Sequence, residues 1–268
     1  MPASPVRELQ NVHSLQGKNV LITGGTSGIG LAVAKNFADA GATVTVTGRR
    51  ESGTDTAAGA GAEFVRCDVT DEKQVAASMR EVAERHGNID VLVINAGIAD
   101  DEQSIEAYDG ARMRAMMDVN ANGVFYALKY APQYMSDAGS IITTGSVAGA
   151  GTTNAGAATY AASKAAAAYF TRTSAIELAP RGIRANTVCP ALIAGTGMMT
   201  EDDGGPEAQF LATLTAFGRL VKQSEVVGIY NFLASDASTF ITGQEIRVDG
   251  GMTAGFGLPI FGAIAGEA

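Results

Sequence analysis

Seven short runs rich in β-branched and apolar residues punctuate this chain: KNVLIT (18–23), ATVTVT (42–47), AEFVRC (62–67), IDVLVI (89–94), SIITT (140–144), IRANTV (183–188) and QEIRV (244–248). Between them lie longer stretches with helical patterning, beginning near Gly28, Asp71, Ser104, Thr159 and Ser224. Short apolar strands separated by helices pair in parallel through right-handed crossovers, which cover both faces of the sheet with helices. The predicted fold class is therefore α/β: a doubly wound, parallel, seven-stranded Rossmann-like sheet. In such sheets a ligand binds beyond the carboxyl ends of the strands, where the strand order reverses. Functional residues are expected just after strands.

At 268 residues the chain suits one large domain spanning 1–268 and is short for two. Its formal net charge of −9 argues against a nucleic-acid partner, since that affinity rests on Lys and Arg neutralising phosphates. No apolar run approaches the roughly 18 residues of a membrane span, and MPASPVRELQNVHS lacks the apolar centre of a signal peptide. A cytoplasmic protein with no membrane attachment is expected. Cys67 and Cys189 each close a strand run without CxxC or metal-ligand spacing, so both are expected to be buried reduced thiols. His13 and His86 are too scattered for a metal site and are read as loop residues, so no metal is expected.

Two local patterns carry chemistry. TGGTSGIG (23–30) follows the first strand and opens a helix. Glycines at 24, 28 and 30 permit a tight turn, close approach of backbone to a pyrophosphate, and snug packing of helix on strand. The exposed N–H groups and the helix dipole then favour an anion. Farther on, TYAASK (159–164) places the phenol of Tyr160 and the ammonium of Lys164 at positions i and i+4, on one face of a helix. A free Tyr titrates near 10. A positive charge about 5 Å away at an effective dielectric of about 20 contributes roughly 3 kcal/mol, or about 2 pKa units toward the phenolate. The expectation is a Tyr160 acidified by Lys164 and able to exchange a proton with an alcohol near neutral pH.

With its TGxxxGxG spacing, the chain resembles the short-chain dehydrogenases/reductases over nearly its full length. The resemblance extends to Asn95-Ala96-Gly97 after the fourth strand, Asn120 within DVNANGVF, Ser146 after the fifth strand, the Tyr160/Lys164 pair, Cys189-Pro190, and the closing VDGG. It implies a catalytic set of Asn120, Ser146, Tyr160 and Lys164. Tyr160 exchanges the proton with a carbonyl or alcohol oxygen, Ser146 fixes that oxygen, Tyr160 and Lys164 also contact the cofactor, Lys164 at the nicotinamide ribose, and Asn120 anchors a relay water. It also implies cofactor contacts from Gly24, Thr26, Ser27, Gly28, Ile29 and Gly30 at the phosphates, Asp68 and Val69 beside the adenine, and Asn95, Ala96 and Gly97 near the ribose. Pro190, Ile193 and Thr196 are implied on the nicotinamide side. Three departures stand out: Ile94 where the family often has Asn, Ala191 where it usually has Gly, and an interval from Ser146 to Tyr160 one residue longer than usual.

At the end of the second strand a carboxylate would bind the ribose hydroxyls of NAD(H). This chain has Gly48, then Arg49 and Arg50. Guanidinium groups suit bidentate phosphate recognition, so NADP(H) is the expected cofactor in preference to NAD(H), with Arg49 the first contact and Arg50 the second. The expected activity is hydride transfer between NADP(H) and a carbonyl or secondary alcohol. A small apolar substrate is suggested by the irregular stretch of about 192–222, which contains Met198 and Met199, and by the apolar tail 252–268, placed either at a subunit interface or over the substrate mouth. The alternatives are a 3-oxoacyl thioester reductase, for which Arg172 and Arg181 would have to meet an acidic carrier, and a non-catalytic dinucleotide sensor. The small-residue run from Ala161 to Ala168 suggests helix-to-helix contact between copies in a homotetramer.

Overall fold

The computed structural model describes residues 12–99, 103–193, 205–255 and 257–265. Seven parallel strands form one sheet in the order β3-β2-β1-β4-β5-β6-β7. They are β1 (Asn19–Thr23), β2 (Thr43–Gly48), β3 (Glu63–Arg66), β4 (Ile89–Ile94), β5 (Met135–Thr144), β6 (Arg184–Pro190) and β7 (Glu245–Val248). The order reverses between β1 and β4, so the ligand crevice of a doubly wound sheet opens there.

Helices α1 (Gly28–Asp39), α2 (Gly53–Gly59), α3 (Glu72–His86), α4 (Gly110–Met117), α5 (Gly123–Tyr134), α6 (Ala158–Leu178), α7 (Pro206–Thr213), α8 (Gln223–Ala234) and α9 (Leu258–Ala265) accompany the strands. Side-chain alternation along the strands divides the core into two layers. Leu21 of β1, Leu92 and Ile94 of β4 and Ile141 of β5 pack with Val75 and Met79 of α3, Leu128 of α5 and Ala167 of α6. Their neighbours Val20, Ile22, Val91, Val93 and Ile142 face the other way, toward Val33 and Phe37 of α1 and Val226, Tyr230 and Leu233 of α8. Burying each large side chain of this kind contributes about 1.5–3 kcal/mol.

Several boundaries differ from the sequence expectation. The helix expected near Ser104 begins at Gly110, because the Asp109 carboxylate caps it by accepting from the N–H groups of Ala111 (2.6 Å) and Arg112 (3.0 Å). Helices α2, α7 and α9 were not foreseen, and α7 shortens the irregular stretch read at 192–222. β5 starts at Met135 rather than Ser140; its register against β4 shifts between Ile89 and Val91, and Ala138 takes φ 58°. His86 ends α3 rather than lying in a loop, and its Nε2 faces Glu63 Oε2 at 3.1 Å. No described helix is long and apolar enough to cross a membrane.

Candidate active site

The turn after β1 is built around space that only glycine leaves open. Gly24 and Gly28 adopt φ of 66° and 52°. A Cβ on Gly30 would lie 2.4 Å from the Gly24 carbonyl oxygen and 2.5 Å from Asn95 Nδ2, so α1 packs directly on the turn. Ser27 precedes α1 in extended geometry without a side-chain cap bond. Thr26 and Ile29 are half-buried and Ser27 is exposed. Backbone donors at a helix start, with no Cβ in front of them, suit the pyrophosphate of a dinucleotide.

From β4, Asn95 crosses to this turn. Its Nδ2 donates to the Gly24 carbonyl at 3.0 Å, and the N–H groups of Asn95 and Ala96 donate to Thr23 Oγ1 at 3.0 and 3.2 Å. A Cβ on Gly97 would lie 3.1 Å from Lys164 Nζ and 3.3 Å from Asn120 Oδ1. Asn120 sits in a π-helical turn, Asp118–Asn122, between α4 and α5. It is buried, accepts from Ile98 N–H at 2.8 Å, and donates to the Ile98 carbonyl (2.9 Å) and to Ser163 Oγ (3.0 Å). Both amide hydrogens are therefore committed to protein partners.

Ser146, Tyr160 and Lys164 converge from the end of β5 and the first turns of α6. The Ser146 hydroxyl beside it draws the Tyr160 phenol toward ionisation, but burial dominates and raises its pKa above the usual value of 10.0. This corrects the expected acidification by Lys164. Lys164 Nζ lies 5.9 Å from the Tyr160 ring centroid and donates to the Thr144 carbonyl at 2.9 Å. Lys164 is itself buried, and desolvation lowers its pKa from 10.5 to about 8. On the protein's own groups, then, the phenol stays protonated at neutral pH, while the ammonium beneath it is charged only up to about pH 8. Burial holds the thiols of Cys67 and Cys189 protonated as well, at about 11 and about 12.

At the far end of the crevice, Arg49 and Arg50 follow Gly48 and are exposed, and Val69 is buried behind Asp68. An opening of about 380 Å³ is lined by Arg49, Arg66, Asp68 and Gln74. Arg66, the last residue of β3, was absent from the sequence reading; its signal was a strand-end position beside Asp68. Pro190 ends β6 and Ile193 is buried in an isolated bridge with Val221. Thr196, with Met198 and Met199, lies outside the described residues. The departures are accommodated locally. Ile94 is core, Ala191 has no positive φ, and the longer interval before Tyr160 folds back through Gly149 N–H to the Thr152 carbonyl at 3.0 Å.

The tail helix α9 lies against the stretch after α7: a Cβ on Gly218 would meet Pro259 Cγ at 3.3 Å. On α6, Ala161, Ala167 and Ala168 are buried within the chain, so they do not face outward as the small-residue run suggested; Ala162, Tyr169 and Ile176 do. Arg172 is ion-paired with Glu245, and Arg181 with Asp137 at 2.7 Å.

Comparison with known proteins adds three kinds of likeness. A family described as enoyl-(acyl carrier protein) reductase matches residues 24–253. The chain is 40% identical over 244 residues to cis-4-hydroxycyclohexanecarboxylate dehydrogenase of Sinomonas cyclohexanicum, covering 87% of this chain and 96% of that one. It is 36% identical over 251 residues to the NADP-dependent (R)-specific alcohol dehydrogenase of Lentilactobacillus kefiri, covering 90% and 98%. A short-chain dehydrogenase/reductase structure from Serratia marcescens superposes with a TM-score of 0.84 at 33% identity, covering 90% of this chain and all (100%) of that one.

Proposed function

This chain belongs to the short-chain dehydrogenases/reductases, and from that premise we propose that it transfers hydride between NADP(H) and a carbonyl or secondary alcohol, with Tyr160 as proton donor and acceptor. The observation that carries this reading is the seating of Lys164, under the Tyr160 ring, on the Thr144 carbonyl at the carboxyl end of β5, which Asn95 ties to a glycine turn shaped for a pyrophosphate. Bound nicotinamide would supply the hydride. The residues to hold it are the glycine turn at the phosphates, Asn95 to Gly97 and Lys164 near the ribose, and Pro190, Ile193 and Thr196 toward the ring.

Tyr160 contributes a neutral O–H, which burial keeps protonated at the pH where a carbonyl oxygen needs a donor. Ser146 fixes the same oxygen. Lys164 lends positive charge from below. Asn120 pins the Gly97–Ile98 segment against α6 through its three hydrogen bonds; a relay water would have to use the remaining lone pair of its Oδ1.

Arg49 and Arg50 favour the phosphorylated cofactor, in keeping with the relative named for NADP. The relatives named as alcohol and hydroxy-acid dehydrogenases favour a small-molecule substrate. A carrier-bound thioester, as the matched family description suggests, is less well served, because Arg172 and Arg181 are already paired with carboxylates. A dinucleotide sensor would have no use for the Ser146–Tyr160 pair. One domain spans the chain, it works in the cytoplasm, and exposed Tyr169 and Ile176 on α6 suit contact between copies in a homotetramer. Following the ultraviolet absorbance of NADPH against a panel of ketones tests the activity; no turnover on any ketone, or in reverse on any alcohol, would count against it. A monomer mass in solution scattering would contradict the assembly.

A further inference from the structure

Arg66 stands in direct register with Gly48 across the β2–β3 pair, so it ends its strand beside the position that precedes Arg49. The two guanidinium groups line one opening, with Asp68 and Gln74 as the other walls. Gly48 itself packs against Thr26 of the glycine turn. A Cβ there would lie 3.1 Å from Thr26 Oγ1, so the opening lies beside the glycine turn. Asp68 turns one carboxylate oxygen toward Thr70, accepting from its N–H at 3.0 Å and its hydroxyl at 2.8 Å. Gln74 is held by Asp68 N–H (3.0 Å) and Asp71 Oδ2 (3.0 Å).

Arg66 also carries an anion of its own. Its Nη1 meets Glu51 Oε1 at 3.3 Å, with side chains 66% and 85% exposed. An ion pair so open to solvent adds little and exchanges readily. Arg49 and Arg66 against Asp68 leave the opening with a net positive charge, and Glu51 cancels it. A phosphate monoester brings a second negative charge and three acceptor oxygens, and a planar guanidinium matches it better than it matches a single carboxylate oxygen.

We propose that Arg66 is the second clamp on the cofactor's 2′-phosphate, opposite Arg49, and that Glu51 is a displaceable internal anion that holds Arg66 until the phosphate takes its place. The inference rests on the NADP(H) reading. It makes Glu51 a determinant of cofactor choice: with no 2′-phosphate the Arg66–Glu51 pair persists, and with one the carboxylate swings out to water.

The test uses calorimetric titration of the full chain with two probes that differ only in the phosphate, adenosine 2′,5′-bisphosphate and adenosine 5′-monophosphate. The wild type prefers the bisphosphate. Arg66→Gln weakens bisphosphate binding by about tenfold or more and leaves the monophosphate unchanged, Arg66→Lys falls between, and Glu51→Gln tightens the bisphosphate alone. A wild type without preference would overturn the NADP(H) reading itself. A wild-type preference that Arg49→Gln abolishes and Arg66→Gln leaves intact would overturn this inference alone, as would equal weakening of both probes in Arg66→Gln. No gain in Glu51→Gln would overturn the role of Glu51.

Discussion

Lys164 reaches from α6 to the main-chain carbonyl of Thr144 at 2.9 Å, a contact that anchors the ammonium to the end of β5 and away from water. Its pKa of about 8 lies below the ordinary 10.5 because burial disfavours the charged form. Between those two values the unfolded chain holds a proton that the folded chain lacks, so this group's contribution to stability rises with pH across the window. Below pH 8 the buried ammonium costs roughly 3 kcal/mol. In urea titrations the wild type should gain on Lys164→Met by about that amount between pH 8 and 10.5; parallel stability curves would contradict the assignment. Referring each curve to the variant removes the opposite trend of the buried thiols, which lose stability as pH rises from the ordinary thiol value of 9.0 toward about 11 and about 12.

Thr144 also joins a hydrogen-bond chain whose direction is set by its far end. Asn95 Nδ2 donates to the Gly24 carbonyl, so its Oδ1 accepts from Thr144 Oγ1 at 3.1 Å, and the buried Tyr230 hydroxyl must donate to Thr144 at 2.7 Å. Tyr230→Phe removes that last donor while leaving the ring in the core. A loss of about 1 kcal/mol in chemical denaturation is expected, and no loss would show that the Tyr230 hydroxyl is dispensable to the chain.

Gly97→Ala places a methyl group 3.1 Å from Lys164 Nζ and 3.3 Å from Asn120 Oδ1. Lys164 or Asn120 must give way by a few tenths of an ångström, and since a misplacement of about 1 Å at a reacting centre costs on the order of a hundredfold in rate, a loss of about severalfold is expected. Steady-state kinetics should show kcat reduced with the fold retained by circular dichroism. Unchanged kcat would mean that the lysine has room to spare.

The sheet was legible because each strand is a compact apolar run and each crossover a longer periodic one, so Val20 and Ile22 could be expected to face away from Leu21 before any coordinates. The glycine turn was legible because Gly24, Gly28 and Gly30 do what no other residue can. What escaped depends on distance through space. Arg66 reads as an ordinary strand residue until its register with Gly48 is known, and Tyr230 reads as one more apolar position of α8 until its hydroxyl meets Thr144. The acidity of Tyr160 is not legible because helical spacing reports the nearness of Lys164, whereas burial, which governs both groups, depends on tertiary packing.

The most direct test of the account compares wild type with Tyr160→Phe in single-turnover carbonyl reduction by NADPH, with cofactor affinity measured separately by fluorescence titration. With Tyr160 as the proton donor, NADPH affinity stays unchanged and the chemical step slows by about 10²–10⁴-fold. A Tyr160→Phe variant that reduces the same ketone at the wild-type rate would contradict it.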